Sequence, residues 1–274
     1  MNASVLSIRI LSLLERMPAS KQDVHLLRTT IRRLEVQLAN PPAKLAKSLR
    51  NLRKKAGKVR DIDVHLTLLK RPLSPPASAD HDTISAAQEK LREILKARHD
   101  RHLGSLQDAV TDARPHMEAK LPILAERAAL RVPNARSAHR QTSQARQRFL
   151  HLSRRVPKDA AQLHQLRIQT KKLRYSLEPL EAFEESVELV AKFKQVQDAI
   201  GSWHDWATLA ELAQRKLPSS DAEPLCAVLQ ARAAREYAKA HHAVQSVRSW
   251  MGGGNPVASV AAASEPQKLI RKAG

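Results

Sequence analysis

Two segments, HLLRTTIRRL at His25–Leu34 and HQLRIQTKKL at His164–Leu173, repeat one arrangement of side chains. A histidine is followed by an arginine three residues on, and by a basic pair at the seventh and eighth positions. Guanidinium forks match the oxygens of a phosphate group in pairs, and ammonium groups act as compact point charges. Spaced as they are here, such groups suit a ligand that carries many phosphate-like charges. They do not need a base to stack on or an edge to read.

At about 100° per residue, taking His25 as origin, Arg28 falls near −60° and Arg32 near −20°. Leu27, Ile31, Leu34 and Leu38 gather around 180–240°, so one face packs and the other presents cations. In the second segment His164, Arg167, Lys171 and Arg174 share an arc of about 80° opposite Leu166, Leu173 and Leu177, with Ile168 as the exception. A charged helix face is commonly just solvated. Recurrence of this one, with histidine as a member, argues for a binding role.

The elements that carry these faces also repeat. A shift of 139 residues lays RILSLLERMP (Arg9–Pro18) on RFLHLSRRVP (Arg148–Pro157), and the same shift superimposes the two histidine segments. With a few residues of slippage, LRNLRKKAGKVRDIDV (Leu49–Val64) matches FKQVQDAIGSWHDWAT (Phe193–Thr208). That match pairs Gly57 with Gly201 and Asp61 with Asp205. Further on, Arg98 and Arg101 correspond to Arg232 and Arg235. The chain therefore reads as two similar halves, 1–130 and 131–251, each of about four helices, with 252–274 as a flexible tail. Prolines at 41, 42, 72, 75, 76, 115, 122, 133, 157, 218 and 224 read as breaks between helices. Gly57 and Gly201 read first as helix C-caps or close-packing glycines. Asp61 and Asp205 either cap the next helix or pair with a ligand-facing arginine and hold its rotamer.

Composition agrees. The 274 residues are 42% hydrophobic and only 3% aromatic, with long Leu/Ala/Arg/Gln/Lys stretches that favour helix over strand. All-α is the class expected. A net charge of +20 and a pI of about 10.6 imply a polyanionic partner. A single cysteine, Cys226, excludes an internal disulfide. Met1–Met17 lacks the layout of a signal peptide, and no apolar run approaches the ~18 residues of a membrane span. A cytoplasmic location without membrane association is the expectation.

Two other functions compete. Three His-Asp dipeptides, at His81, His99 and His204, raise a metal-dependent phosphohydrolase. His204, however, stands where the first half has Arg60, which favours a basic role, and His99 and His102 lack an evident carboxylate set. No phosphate-binding glycine loop is present. Charge alone also permits a nucleic-acid-binding protein, and some unspecific binding is expected. Yet three Trp, two Tyr and three Phe are too few to supply the stacking platforms of single-strand sites.

The double H-x-x-R-x-x-x-[RK]-[RK]-L, each followed by G-x-x-x-D, resembles the CHAD family, named for conserved histidines in an α-helical domain. LHQLRIQTKKLRYSLE (Leu163–Glu178) and LRKKAGKVRDIDV (Leu52–Val64, with the preceding Leu49–Asn51) are close to its pattern over a reach of about 1–251. The resemblance implies two four-helix-bundle repeats with pseudo-twofold symmetry around a central basic groove. It also implies non-catalytic binding of inorganic polyphosphate, association with polyphosphate granules, and no cofactor or metal. The binding residues it implies are His25, Arg28, Arg32, Arg33, Arg50, Arg53 and Lys54 in the first half, and His164, Arg167, Lys171, Lys172, Arg174 and Lys194 in the second. Two departures stand out: Glu35 replaces a base, and Gln197 and Asp198 stand opposite Arg53 and Lys54. Unequal contributions from the halves are expected.

Overall fold

The computed structural model describes residues 2–252 apart from 18–19, 39, 74–79, 132, 155–156 and 158. Eight α-helices follow one another: α1 (Ala3–Glu15), α2 (Lys21–Gln37), α3 (Ala43–Leu68), α4 (His81–Ala129), α5 (Ala135–Leu152), α6 (Ala160–Leu177), α7 (Glu184–Lys216) and α8 (Ser219–Gly252). A single 3₁₀ turn, Glu178–Leu180, follows α6. Among the described residues there is no strand. The expected tail lies outside the described residues, except that Gly252 closes α8.

Helix starts are written locally. Asn2, Ser20, Asp80, Asn134 and Asp159 each accept a hydrogen bond from a backbone N–H of the first turn that follows. Ser20 and Asp23 form a reciprocal capping box.

Three of the expected proline breaks are not breaks. α4 runs unbroken for 49 residues through Pro115 and Pro122, and α8 passes through Pro224 in its second turn. Pro115 and Pro122 lie on the exposed side, where water can satisfy the carbonyl each leaves free, while Ala113, Met117, Leu121 and Ala125 keep the buried stripe continuous. Burial along that stripe outweighs the local cost.

The apolar interior forms two cores. One joins α1, α2, α3 as far as Val59, and α4 from Leu106 to Ala125. The other joins α5 to α8 with Ile62–Leu69 at the end of α3 and Ile84–Leu95 at the start of α4. Phe149 and Phe193 meet in the second core, ring centroids 5.2 Å apart. The α3–α4 pair thus passes from one core into the other. As a result α2 packs against α6, and α3 against α7. Those four helices carry both histidine segments and both glycine–aspartate segments.

Candidate basic groove between the helix pairs

The buried residues of α2 are Val24, Leu27, Thr30, Ile31 and Leu34, which leaves His25, Arg28 and Arg32 on the opposite side. In α6 the buried residues are Leu163, Leu166, Thr170, Leu173, Tyr175, Leu177 and, against the expectation of an open cationic face, Arg174, which leaves His164, Arg167 and Lys171 on the side of α2. Between the two lie two adjoining cavities, of about 610 and 430 Å³. Arg28, Arg32, Arg167, Lys171 and Tyr175 line both, together with Asp61 and Asp205. The larger adds His164, Lys172, Arg53, Glu35 and His204; the smaller adds His25, Arg60, Gln197 and Asp198.

The repeated glycines sit inside α3 and α7, so the capping reading is excluded and close packing remains. A Cβ on Gly57 would stand 3.5 Å from Arg28 Nε, and one on Gly201 would stand 3.8 Å from Arg167 Nε. Each glycine therefore lies beneath the arginine of its own half. Asp61 and Asp205 are also mid-helix and cap nothing. Asp61 Oδ1 accepts a hydrogen bond from Arg28 Nη1 at 3.0 Å, which fixes that guanidinium. Asp205 is pushed above the usual carboxylate range by burial, against the pull of Arg167.

Crowding of like charge dominates the electrostatics. Burial, then Arg167, Arg32 and Arg28, lowers Lys171 to about 7. Burial, then Arg167 and His164, lowers His204 to about 4; the His164 and His204 rings lie 4.7 Å apart. His25 and His164 also fall below the usual imidazole range, chiefly through burial. Burial likewise depresses Arg32 and Arg167. Cations outnumber the lining carboxylates Glu35, Asp61, Asp198 and Asp205, so a multivalent anion entering here would add counter-charge.

Not every basic residue expected at the site lines these cavities. Arg33 and Arg174 both grip Glu178, at 2.6 and 2.7 Å, and Arg174 also donates to Gln197 Oε1 at 3.0 Å. This clamp ties α2 to the end of α6. Arg50, Lys54 and Lys194 are exposed and line neither cavity; Lys194 pairs with Asp198 at 2.5 Å. Arg53 does line the larger cavity, but it forms an ion pair with Glu35 at 2.7 Å.

Other lining residues were not singled out by pattern. His65, whose Nε2 lies 3.1 Å from Thr208 Oγ1, links α3 to α7 across the groove. Tyr175 is buried in the α6 wall, one turn after Lys171, and that i+4 spacing was the available signal. Ile168, the exception on the cationic face, forms part of the larger cavity's lining. Among the described residues no group of three or more His, Cys, Asp or Glu is placed to hold a metal ion.

A model of the CHAD domain family matches residues 19–214, a narrower span than the repeat suggests. The crystal structure of the CHAD domain from the plant Ricinus communis is similar at a TM-score of 0.61 and 21% identity, covering 93% of this chain and 93% of that one. A search of curated proteins gives no match. With the family model covering well over half of its length, and an all-helical fold to accompany it, the chain belongs to the CHAD domain family.

Proposed function

We propose that this protein binds inorganic polyphosphate, without chemical conversion, in the groove between α2/α3 and α6/α7. The observation that carries the reading is that Arg28 and Arg32 from one half, and Arg167 and Lys171 from the other, line the same two cavities. A flexible chain with about one charge per phosphate can engage all four together, and its affinity then comes from simultaneous contacts. Family membership supports this, since the CHAD family is in general associated with polyphosphate binding. The two halves act as pseudo-twofold partners, each laying an arginine over its own glycine. Association with polyphosphate granules in the cytoplasm follows as a role for such a site. Among the described residues no helix is long and apolar enough to cross a membrane.

Replacing Arg28 and Arg167 together with Ala tests this. Two charge-assisted contacts in a half-buried site are together worth about 3 kcal/mol, roughly a hundredfold in affinity. Removing the exposed Arg127 and Arg136 should cost far less. The measurement is titration calorimetry with polyphosphate, with circular dichroism as the folding control. Equal losses in the two variants would reduce the groove to a diffuse positive field. Tighter binding of duplex DNA at equal phosphate concentration would favour a nucleic-acid role, and Mg²⁺-dependent shortening of the polymer would favour a hydrolase.

A further inference from the structure

A second cationic surface lies on α3 and α4, outside the groove. Lys55 Nζ donates to the Ser105 carbonyl at 3.0 Å, and His99 Nε2 lies 3.4 Å from Asp63 Oδ1. These two contacts fix an antiparallel register that sets Lys58 against Arg101 and His102, and Arg98 beside His65. Burial, followed by Lys58, Arg98, Arg101 and Lys55, holds the His102 imidazole below its usual range. Among the described residues Lys58, Arg98 and Arg101 have no acidic partner. Arg98 also acts on His65, which lines the larger cavity, so the surface adjoins the groove.

The second half shows what this seam looks like when it is internally neutralised. Aligning Gly57 with Gly201 places Ser202 at the position of Lys58, and aligning Arg98 and Arg101 with Arg232 and Arg235 places Glu236 at that of His102. Glu236 is buried and accepts from Ser202 Oγ at 2.9 Å and Lys239 Nζ at 2.8 Å, with Arg232 Nη2 at 3.5 Å. The α7–α8 seam thus carries its own counter-ion. The α3–α4 seam has a histidine in that place with Lys58, Arg98, Arg101 and Lys55 acting on it, and its buried carboxylate, Asp63, is taken up by His99 and Lys21, so an external anion is the counter-charge left to this cluster.

We propose that the ledge formed by Lys58, Arg98, Arg101 and His102 is a second binding surface for a linear phosphate polymer, continuing its path out of the larger cavity on the first-half side alone. This rests on the polyphosphate reading of the groove and extends it by giving the bound chain a direction of exit.

The test is His102→Glu, which copies the counter-ion of the second half, with Lys58→Ala/Arg101→Ala as an independent variant should the first fail to fold. Both are titrated with tripolyphosphate and with long-chain polyphosphate over a range of salt. Long-chain affinity should fall roughly tenfold, and in the double variant its logarithmic salt dependence should become shallower by about 1.4, at roughly 0.7 for each of the two lost phosphate contacts. Tripolyphosphate, short enough for the groove, should bind as before. Unchanged long-chain binding, or an equal loss for both ligands, overturns the ledge while leaving the groove standing. Failure of the unaltered protein to bind either ligand overturns the functional reading, and the ledge with it.

Discussion

The two walls of the groove occupy matching positions and carry different kinds of charge. On the first-half wall stand Arg28, Arg32 and Arg60; on the second stand Arg167, Lys171 and His204. Arginine remains protonated under nearly all conditions. Lysine and histidine yield their protons when buried among cations, and Lys171 at about 7 and His204 at about 4 have done so in part or in full. At these three positions the first wall is a fixed array, to which His25 and His65 add titratable groups, while the second has a lysine and a histidine that can gain charge as a polyanion arrives. Lys171 and His204 make the second wall proton-responsive, while both walls keep an arginine above a glycine.

The largest effect that would break or sharpen this contrast is in pH. A bound polyanion restores Lys171 toward its ordinary value, so binding takes up a proton. Affinity should be full below about 7 and weaken above it, by at most about tenfold per pH unit. The empty protein should move the other way. A lysine whose folded value lies below its unfolded one costs stability at low pH, and that cost is relieved as pH rises through about 7 and on toward the unfolded value. Calorimetric affinity and melting temperature measured between pH 6 and 9 should thus run in opposite directions. Lys171→Arg should flatten the binding profile; an unchanged slope would remove Lys171 as the responsive group. The equivalent change on the first wall, Arg32→Lys, should introduce a new slope.

A smaller effect concerns how the walls are held. Arg33 and Arg174 converge on Glu178, a half-buried carboxylate. Glu178→Ala should destabilise the fold by about 2 kcal/mol, because it strands two cations that are now paired. It removes no cavity-lining cation, so polyphosphate affinity should fall much less than stability does. Urea denaturation and a binding titration on the same variant would show whether the clamp is a positioning device or part of the site.

The smallest effect concerns the glycines beneath the arginines. At 3.5 and 3.8 Å, a new Cβ makes ordinary van der Waals contact with Arg28 or Arg167. Alanine at either position should gain up to ~1 kcal/mol of helix stability, with affinity altered by less than about threefold. Leucine at Gly201 should instead displace Arg167 and lower affinity toward that of Arg167→Ala. Equal tolerance of leucine at Gly57 and Gly201 would show that neither arginine depends on the glycine below it.

Much of the fold and the centre of the site were legible in the residues. Helical class followed from composition and periodicity, while the N-caps at Asn2, Ser20, Asp80, Asn134 and Asp159 emerged with the structure, although capping is local chemistry. The cationic faces of α2 and α6 followed from 3.6-residue periodicity, because an apolar stripe dictates what is left on the other side. Pro115 and Pro122 misled for the complementary reason: a proline's local cost is visible in sequence, while the burial that overrides it is not.

What the sequence determined by itself is the helical class, the two cationic faces, and the recurrence of a glycine and an aspartate four residues apart after each of them. All of these are written in short-range spacing and in its repetition at a fixed interval. Only the tertiary structure decided which cations meet. Arg33, Arg174 and Arg53 carry the same charge as Arg28 and Arg167, yet Glu178 and Glu35 hold them in ion pairs. The depression of Lys171 and the fate of the α3–α4 seam were decided in the same way. A group's charge state and partner depend on distances between packed helices, across 145 residues of chain for Arg33 and Glu178, and the repeated pattern that exposes the cationic faces does not encode those distances.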